Sequence, residues 1–245
     1  MSRWPIALGI LLLLGCAEEL RGRAPLDDGI YYPIAAAVDE ANGLLYVINS
    51  NFDLAYRQAS LVAVDLETNQ LVPGFASFGS FPADFLLLPA KEGKGSTGYL
   101  AVRGDNSLTW FTSAPDGEGI RIDCSDDGDG TSCDGDHVIT EGKLKLDGEE
   151  EEQDVTVGSD PFSLAFLPAH EEVPDRLFLA ASKDGTLSLF DLSASGKPTL
   201  VAQSTMAAGA HTAALDAATG LVYVTNRLYS YLYRFRIVEG EEAPS

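Results

Sequence analysis

The stretch "LFLAASKDGTLSLFDL", residues 177–192, has the pattern of a β-hairpin. Its second half alternates apolar and polar side chains, as strands with a period of two residues do. The Asp-Gly pair in "KDGT" (183–186) is a strong signal for the tight turn that joins two antiparallel strands. The stretch therefore predicts an apolar strand, a polar turn and a second strand.

The same arrangement occurs four times along the chain. The segments are "GLLYVINSNFDLAYRQASLVAVDLETNQLV" from Gly43, "GYLAVRGDNSLTWFTS" from Gly98, "LFLAASKDGTLSLFDL" from Leu177 and "VYVTNRLYSYLYRFRI" from Val222. Each second strand has a leucine and, three residues later, an apolar residue. These pairs are Leu61 and Val64, Leu108 and Phe111, Leu187 and Phe190, and Leu232 and Phe235. The leucines are 47, 79 and 45 residues apart, so the second interval contains about 33 extra residues and the period is near 46.

A further short apolar segment precedes each hairpin. These segments are "YPIAAAVD" from Tyr32, "FPADFLLLP" from Phe81, "DPFSLAFLP" from Asp160 and "GAHTAALD" from Gly209. A period of 40 to 50 residues with three or four strands in each unit indicates a β-propeller. The predicted fold class is therefore all-β, a propeller-like repeat array with about four recognisable blades.

Two of the repeats also resemble a known family. The motifs "LLYVINS" (44–50) and "LVYVTNR" (221–227), followed by strands of the "VAVDL" type, are similar to the YVTN-type repeats of bacterial surface propellers. The resemblance covers roughly residues 32–238. It implies the propeller architecture and says little about chemistry.

Four repeats are the low end of the propeller range, and the last one lacks an obvious outer strand. Residues 26–34 could supply that strand and close the ring. Alternatively, the chain is part of a six- or seven-bladed protein, or an open array whose exposed edge invites pairing with another chain. We favour an incomplete or truncated propeller over a closed four-bladed one.

The N-terminus has the pattern of a secretory signal. Arg3 supplies the positive charge, and the apolar run 6–14 is too short to span a bilayer, which takes about 20 residues. "LLGC", residues 13–16, resembles the lipobox of bacterial lipoproteins. The resemblance implies cleavage after residue 15 and a lipid on Cys16, which would anchor the chain to a membrane.

The residues after Cys16 complete the predicted organisation. Ala17 at the sorting position favours the outer membrane by resemblance to known lipoproteins, so the expected location is the cell envelope. Residues 16–30 are the predicted lipidated N-terminus and tether, and residues 31–245 form the propeller-like domain. The formal net charge of −21 disfavours nucleic acid as a partner, because phosphates are repelled.

The extra residues of the second interval, about 116–153, are expected to project from the blade as an acidic hairpin insertion. They contain "DCSDDGDGTSCDGDH", residues 123–137. Cys16 is assigned to lipid, so Cys124 and Cys133 are left as a pair in an oxidising compartment. We expect them to form a disulfide.

In one frame, residues 123–134 also fit the pattern of a calcium loop. Calcium takes six to eight hard oxygen ligands, and Gly128 falls where the sharp turn of such loops requires glycine. The alternative is an acidic loop pinned by the disulfide with no specific ion. The candidate calcium ligands are Asp123, Ser125, Asp127, Asp129, Thr131 and Asp134.

His211 is the histidine with the most suggestive position. It takes the place that Ile34, Ala83 and Phe162 have in the other repeats, at the start of an innermost strand. That end lies near the central channel of a propeller, so His211 could contact a ligand there. A hydrogen-bonded structural histidine is the alternative.

These patterns predict a non-enzymatic lipoprotein that faces the periplasm or the cell surface. Its propeller would act as a binding or scaffold platform for a protein or ligand, and calcium is a candidate stabiliser. One alternative is a lactonase-like propeller hydrolase that works at the central channel. Another is a structural component that assembles through an open sheet edge. No catalytic residue can be named from the sequence.

Overall fold

In the described residues, all pairs of strands are antiparallel, two isolated bridges are parallel, and one 3₁₀ turn lies at Gly135–His137. The computed structural model describes residues 22–90, 95–126, 131–145, 151–170, 173–216 and 218–236. Within those ranges, no helix has both the length and the apolar character that crossing a bilayer requires. The predicted all-β class is confirmed.

The first two repeats each form a four-stranded sheet whose strands follow chain order. The first sheet contains β1 (Pro33–Asp39), β2 (Leu44–Asn49), β3 (Ala59–Asp65) and β4 (Gln70–Phe78). The second contains β5 (Pro82–Pro89), β6 (Ser96–Val102), β7 (Ser107–Asp116) and β8 (Gly119–Asp123), and the two-residue strand β9 (Val138–Ile139) also pairs with β7.

The last two repeats differ in strand number. The hairpin β10 (Glu141–Leu144) and β11 (Gln153–Thr156) precedes them as a separate two-stranded sheet. The third sheet contains β12 (Pro161–Leu167), β13 (Arg176–Ala181), β14 (Thr186–Leu192) and β15 (Pro198–Thr205). The fourth contains β16 (Ala210–Asp216), β17 (Leu221–Asn226) and β18 (Leu232–Arg236).

The same turn begins the innermost strand of each of the four repeat sheets. The residue before that strand has left-handed backbone in all four repeats: φ is 47° at Tyr32, 60° at Phe81, 59° at Asp160 and 100° at Gly209. Its carbonyl accepts a hydrogen bond from the residue that follows the second strand. These donors are Ser50, Arg103, Ser182 and Arg227, at 2.8–3.1 Å. The four sheets are therefore structural equivalents.

Three apolar cores separate the four sheets. The first core lies between sheets one and two around Leu61 and Phe111, and the second lies between sheets two and three around Leu108 and Leu179. The third core, around Val222, lies between sheets three and four. The innermost strands contact in the order β1, β5, β12, β16. In the described part of the chain, no fourth core joins the last sheet to the first.

The array is therefore open, as expected for an incomplete propeller. The alternative in which residues 26–34 add a strand to the last sheet and close the ring is wrong. Pro33 and Ile34 belong to β1, which pairs with β2, and residues 26–32 form no strand. They are held elsewhere, because Asn49 Nδ2 donates to the carbonyl of Gly29 at 3.0 Å.

The segment 116–153 also differs from the projecting hairpin that we expected. Gly119–Asp123 is β8, the outer strand of the second sheet, so the extra residues begin after it. Leu144 of β10 is buried in the second core, and Gly142 lies directly against Leu200 of the third sheet. The β10–β11 hairpin thus packs on the blades, because its apolar side chains are buried there.

Candidate functional site at the inner-strand end

One polar cluster draws on three sheets where the innermost strands begin. Its members are Arg103, Asp160, Phe162, His211 and Arg227, and we call it the inner-strand cluster. Arg103 and Arg227 each follow the second strand of their sheet, at equivalent positions of the second and fourth repeats. Phe162 and His211 occupy β-bulges, where the pairing register of β12 and β16 shifts. Bulges turn a side chain away from the regular pleat and are common beside functional sites.

The Phe162 ring is the centre of the cluster. The His211 ring centroid lies 4.4 Å from it, with the ring planes tilted by 35°. The guanidinium carbons of Arg103 and Arg227 lie over the same ring, at 5.3 Å and 5.4 Å from its centroid. Both distances are within the range of a cation–π interaction.

Asp160 is the carboxylate of the cluster. It forms a salt bridge with Arg103 Nε, and its Oδ2 lies 3.8 Å from Arg227 Nη2. The Asp160 side chain is 20% exposed, whereas those of Arg103 and Arg227 are 38% and 44% exposed. Two guanidinium groups therefore share one carboxylate, and both retain surface that solvent can reach.

Hydrogen bonds between sheets hold the bulges in place. Asp84 Oδ2 accepts from Ser163 Oγ at 3.1 Å and from the backbone N–H of Leu164 at 2.8 Å. Ser163 Oγ in turn accepts from the backbone N–H of Ala213 at 3.1 Å. This relay ties β5, β12 and β16 together next to Phe162.

His211 is fixed by a neighbour on its own strand. Its Nδ1 lies 2.9 Å from Thr212 Oγ1, and the Thr212 backbone N–H donates to Thr225 Oγ1 at 3.1 Å. The sequence predicted that His211 begins an innermost strand, and it does. Its role in ligand binding stays a prediction.

Serines stand where the other two repeats have arginine. Ser50 and Ser182 follow the second strands of sheets one and three, and each is 2% exposed. Their Oγ atoms have no hydrogen-bond partner in the described residues. The rim of the array therefore alternates serine and arginine along the four repeats.

The acidic loop 123–137 is tied to the fold by its two cysteines. The predicted disulfide between Cys124 and Cys133 is present, with the Cα atoms 4.6 Å apart. Both cysteines are buried in the first core. The backbone N–H of Cys133 donates to the carbonyl of Ser77 in β4 at 2.8 Å, so the loop extends the edge of the first sheet.

The calcium frame is only partly visible in the structure. Asp127 and Asp129 lie outside the described residues. Of the other candidate ligands, Asp123 has a buried Oδ1 with no hydrogen-bond partner among the described residues, and Ser125 is buried. The Thr131 carbonyl accepts a hydrogen bond from Ser77. Asp134 Oδ1 accepts one from the backbone N–H of Asp126. No group of three or more His, Cys, Asp or Glu side chains within the described ranges could hold a metal. Among the candidate ligands that the structure describes, the Asp123 oxygen is the feature that fits a cation.

The end of the acidic loop is anchored by Trp110. Its Nε1 donates to the carbonyl of Asp136 at 2.9 Å, and the ring of His137 stacks on it at 4.3 Å. Asp136 also forms a salt bridge with Lys197 of the third sheet. This hydrogen-bonded ion pair lowers the pKa of the Asp136 carboxyl.

A large open pocket lies between the second and third sheets, towards the other ends of the inner strands. Its volume is about 1040 Å³, and its lining includes Tyr99, Phe166 and the charged residues Arg121, Asp123 and Asp175. Tyr99 donates to the carbonyl of Gly196 at 2.7 Å, and burial raises its pKa. The rest of the lining mixes serine and threonine with apolar residues, and no histidine or cysteine is among the described residues that form it.

Of the five members of the inner-strand cluster, the sequence pattern indicates only His211 as a candidate site residue. Arg103 and Arg227 could have been found by aligning the residues after the second strands, where the repeats have Ser, Arg, Ser and Arg. Nothing local marks Asp160 or Phe162. Cys16, the predicted lipid site, lies outside the described residues.

Solved structures match this chain, whereas no family model and no curated protein matches it. A putative 6-phosphogluconolactonase from Bacteroides uniformis is 14% identical with a TM-score of 0.53, and the match covers 88% of this chain and 56% of that chain. Hydrazine synthase from Kuenenia stuttgartiensis is 12% identical with a TM-score of 0.52, and the match covers 84% of this chain and 58% of that chain. The β-propeller domain of Cps50 (Swd1) from Myceliophteria thermophila is 10% identical with a TM-score of 0.51, and the match covers 84% of this chain and 54% of that chain.

Identities this low establish the fold alone. The chain spans little more than half the length of the three proteins above. The YVTN-type and lipoprotein resemblances stay predictions. The chain has a β-propeller fold, and its four sheets form an incomplete array.

Proposed function

We propose that this protein is a non-enzymatic binding propeller of the cell envelope, and that its inner-strand cluster binds a small ligand carrying a carboxylate or phosphate group. The observation that carries the proposal is the convergence of Arg103, Arg227 and His211 on Phe162, with Asp160 as their shared carboxylate.

The N–H donors of Arg103 and Arg227 favour an anionic ligand. Each guanidinium has five N–H donors in a rigid fork that matches a carboxylate or a phosphate. Asp160 has two oxygens and cannot satisfy ten donors, and both arginines are partly exposed. The Phe162 and His211 rings would provide an apolar wall beside the anion.

The fixed geometry favours binding over a purely structural role. The relay from Asp84 to Ser163 and the bulges set the ring positions before any ligand arrives. Such preorganisation reduces the entropy lost on binding. The chain's net charge of −21 repels anions at long range, so recognition must depend on these close contacts.

Titration calorimetry tests this proposal with inorganic phosphate and with citrate as probes. Arg103→Gln and Arg227→Gln should each weaken binding at least about tenfold, since each removes charge-assisted hydrogen bonds of about 1.5–3 kcal/mol. Arg57→Gln is the matched control, because it removes the same charge from an exposed loop of the first sheet. Equal affinity in all four proteins would contradict the proposal, as would the absence of binding by the unmodified chain.

The rival proposal is a lactonase-like hydrolase, and His211 is the residue that favours it. When its Nδ1 donates to Thr212 Oγ1, Nε2 is the nitrogen free to accept a proton from water. Incubation with a lactone, followed by measurement of acid release, separates the two proposals. Turnover that disappears in His211→Gln would establish an enzyme and replace the binding proposal.

The envelope location rests on the N-terminal pattern. We propose that lipid on Cys16 anchors the protein, with the outer membrane favoured by Ala17. Cys16→Ser should move the protein from the detergent phase to the aqueous phase in a Triton X-114 partition. Unchanged partition would overturn lipidation and leave the ligand proposal untouched.

A further inference from the structure

The first described residues of the chain are fixed to the loop 50–58, which joins β2 to β3. Arg23 forms a parallel bridge with Tyr56. The Arg23 backbone N–H donates to the carbonyl of Ala55 at 3.3 Å, and the Arg23 carbonyl accepts from the N–H of Arg57 at 2.9 Å. The tether therefore joins the fold at this loop.

A continuous row of aromatic rings surrounds the same point. Successive rings have their centroids 4.7–6.4 Å apart, in the order Tyr56, Tyr31, Tyr32, Phe52 and Phe81. Ile30 and Leu54 lie beside these rings in the chain. We call these seven residues the tether-side patch.

Much of the tether-side patch is open to solvent. Phe52 is 70% exposed and Leu54 is 59% exposed, and Ile30 and Tyr32 are about half exposed. These residues lie in the segments before β1 and after β2, at one end of the first sheet. Single exposed apolar residues are ordinary, whereas a contiguous patch marks contact with another surface.

The loop that carries the most exposed side chains of the patch has a fixed shape. Asn51 is 2% exposed, and its Nδ2 donates to the carbonyl of Tyr56 at 2.8 Å while its Oδ1 accepts from the Tyr56 N–H at 3.0 Å. Tyr31 Oη donates to Asp53 Oδ2 at 2.6 Å. The patch is therefore set before any partner arrives, which reduces the entropy lost on contact.

Leu54 adds a separate argument for an outside contact. Its backbone is left-handed, with φ of 56°, a conformation that is unfavourable for a bulky side chain. Since the side chain is mostly exposed, burial within this chain does not offset the strain. Strain of this kind collects where the surface has a function.

The chain between the patch and the proposed lipid is short. Cys16 precedes Gly22 by six residues, which span at most about 22 Å when fully extended. A lipid on Cys16 would therefore hold the bridge between Arg23 and Tyr56 within about that distance of the bilayer. Because Tyr56 belongs to the tether-side patch, the patch would be held there too.

We propose that the tether-side patch rests on the phospholipid bilayer into which the Cys16 lipid is inserted. Phe52, Leu54 and Tyr32 would enter the boundary between headgroups and acyl chains, where aromatic and aliphatic side chains are favoured. The proposal rests on the lipid anchor of the proposed function. It goes beyond that anchor because it states which surface of the fold faces the membrane.

The charge of the chain indicates which forces hold the patch on the bilayer. The formal net charge of −21 repels anionic headgroups, so electrostatic attraction cannot drive the contact. Burial of apolar side chains is the remaining driving force, and it needs no charged lipid. Vesicles of phosphatidylcholine, which is zwitterionic, are therefore the probe.

Quenching of tryptophan fluorescence by brominated phosphatidylcholine tests the orientation of the full lipidated protein. Phe52→Trp places the reporter in the patch. Leu66→Trp is the matched control, because Leu66 is 43% exposed and follows β3, at the opposite end of the first sheet. Phe52→Trp should be quenched at least about twofold more strongly, since only this reporter would reach the acyl boundary. Trp110 is buried and contributes the same background to both variants.

A second substitution tests whether the patch makes the contact. Adding Leu54→Asn to the Phe52→Trp variant should lower its quenching, because an apolar side chain is lost from the same loop. Asparagine tolerates left-handed backbone, so the fold should be retained, and urea denaturation checks this. Unchanged quenching would contradict the proposal.

Co-flotation of the same samples with the vesicles separates the patch from the anchor. Protein that floats while both reporters are quenched equally would overturn the docking of the patch and leave the lipid anchor standing. Another protein would then be the expected partner of the patch. Protein that does not float would overturn the anchor and the orientation together. Calorimetry at the inner-strand cluster uses no vesicles, so anion binding is tested independently.

Discussion

The acidic loop 123–137 and the inner-strand cluster are both polar, but the chain builds them in opposite ways. The loop concentrates six aspartates within fifteen consecutive residues. The cluster collects five residues from three sheets, spread along the chain from Arg103 to Arg227. The loop is conspicuous in the sequence, whereas the cluster exists only because equivalent turns of three sheets meet. Local charge density is therefore a poor guide to where side chains converge.

The two regions also have roles opposite to those expected from the sequence. The acidic loop was expected to project from the frame, yet its disulfide is buried in the first core and its backbone extends the first sheet. The cluster lies at an exposed rim, with arginines that solvent reaches. The loop therefore has a larger structural role than its composition indicates, and the cluster has more surface to offer a ligand.

The largest effect should come from the disulfide. Cys124→Ser/Cys133→Ser should lower the free energy of unfolding by about 3 kcal/mol, because the bond closes a loop of about ten residues in the unfolded chain. Urea denaturation measures the change. Reducing agent should destabilise the unmodified chain by a similar amount and leave the variant unaffected. Equal stability of both proteins would mean that the loop is an accessory, as its sequence suggested.

The next effect concerns the support of the inner-strand cluster. Asp84→Ala removes the acceptor of Ser163 Oγ and of the Leu164 N–H, and an unpaired backbone N–H in a sheet is costly. The free energy of unfolding should fall by about 2 kcal/mol. Asp84→Asn keeps one acceptor oxygen and should retain more than half of that stability. If both variants unfold like the unmodified chain, the relay does not hold the bulges.

Calcium should have a smaller effect, confined to the acidic loop. At a dissociation constant of about 1 mM, 10 mM calcium would stabilise the folded state by about 1.4 kcal/mol. The midpoint of thermal unfolding should then rise by about 4 °C. Asp127→Ala should abolish the rise, while Glu152→Ala, which removes the same charge from the acidic run nearby, should preserve it. No shift in the unmodified chain would contradict a calcium site.

Much of the fold was predictable because the spacing of apolar residues defines the repeat. The leucine of each hairpin, from Leu61 to Leu232, lies in the third strand of its sheet. The residue that begins each upstream segment, such as Phe81, adopts the same left-handed turn. Apolar periodicity records burial in the first three sheets, where this leucine is buried, whereas Leu232 in the last sheet is 63% exposed.

Two features could not be predicted, for different physical reasons. The interval lengths showed that the second repeat has about 33 extra residues, but not that Gly119–Asp123 is a regular outer strand before them. Spacing gives the number of extra residues and not their place. The contacts of Phe162 with Arg103 and Arg227 depend on the angle between sheets, which no local pattern encodes.

The smallest effect should come from the ion pair of Asp136 and Lys197, which links the acidic loop to the third sheet. Lys197 lowers the pKa of Asp136 below its ordinary value of 3.8, so the folded state binds this proton less tightly than the unfolded state does. The resulting stability is fully present above pH 3.8 and is lost as pH falls through the lowered pKa. Lys197→Met should therefore slightly reduce the midpoint of thermal unfolding at pH 7. The reduction should become progressively smaller as the pH falls below 3.8. Both partners are substantially exposed, so 1 M salt should largely remove the difference at pH 7. A difference that stays constant as the pH is lowered would show that Lys197 stabilises the fold by packing and not by its charge.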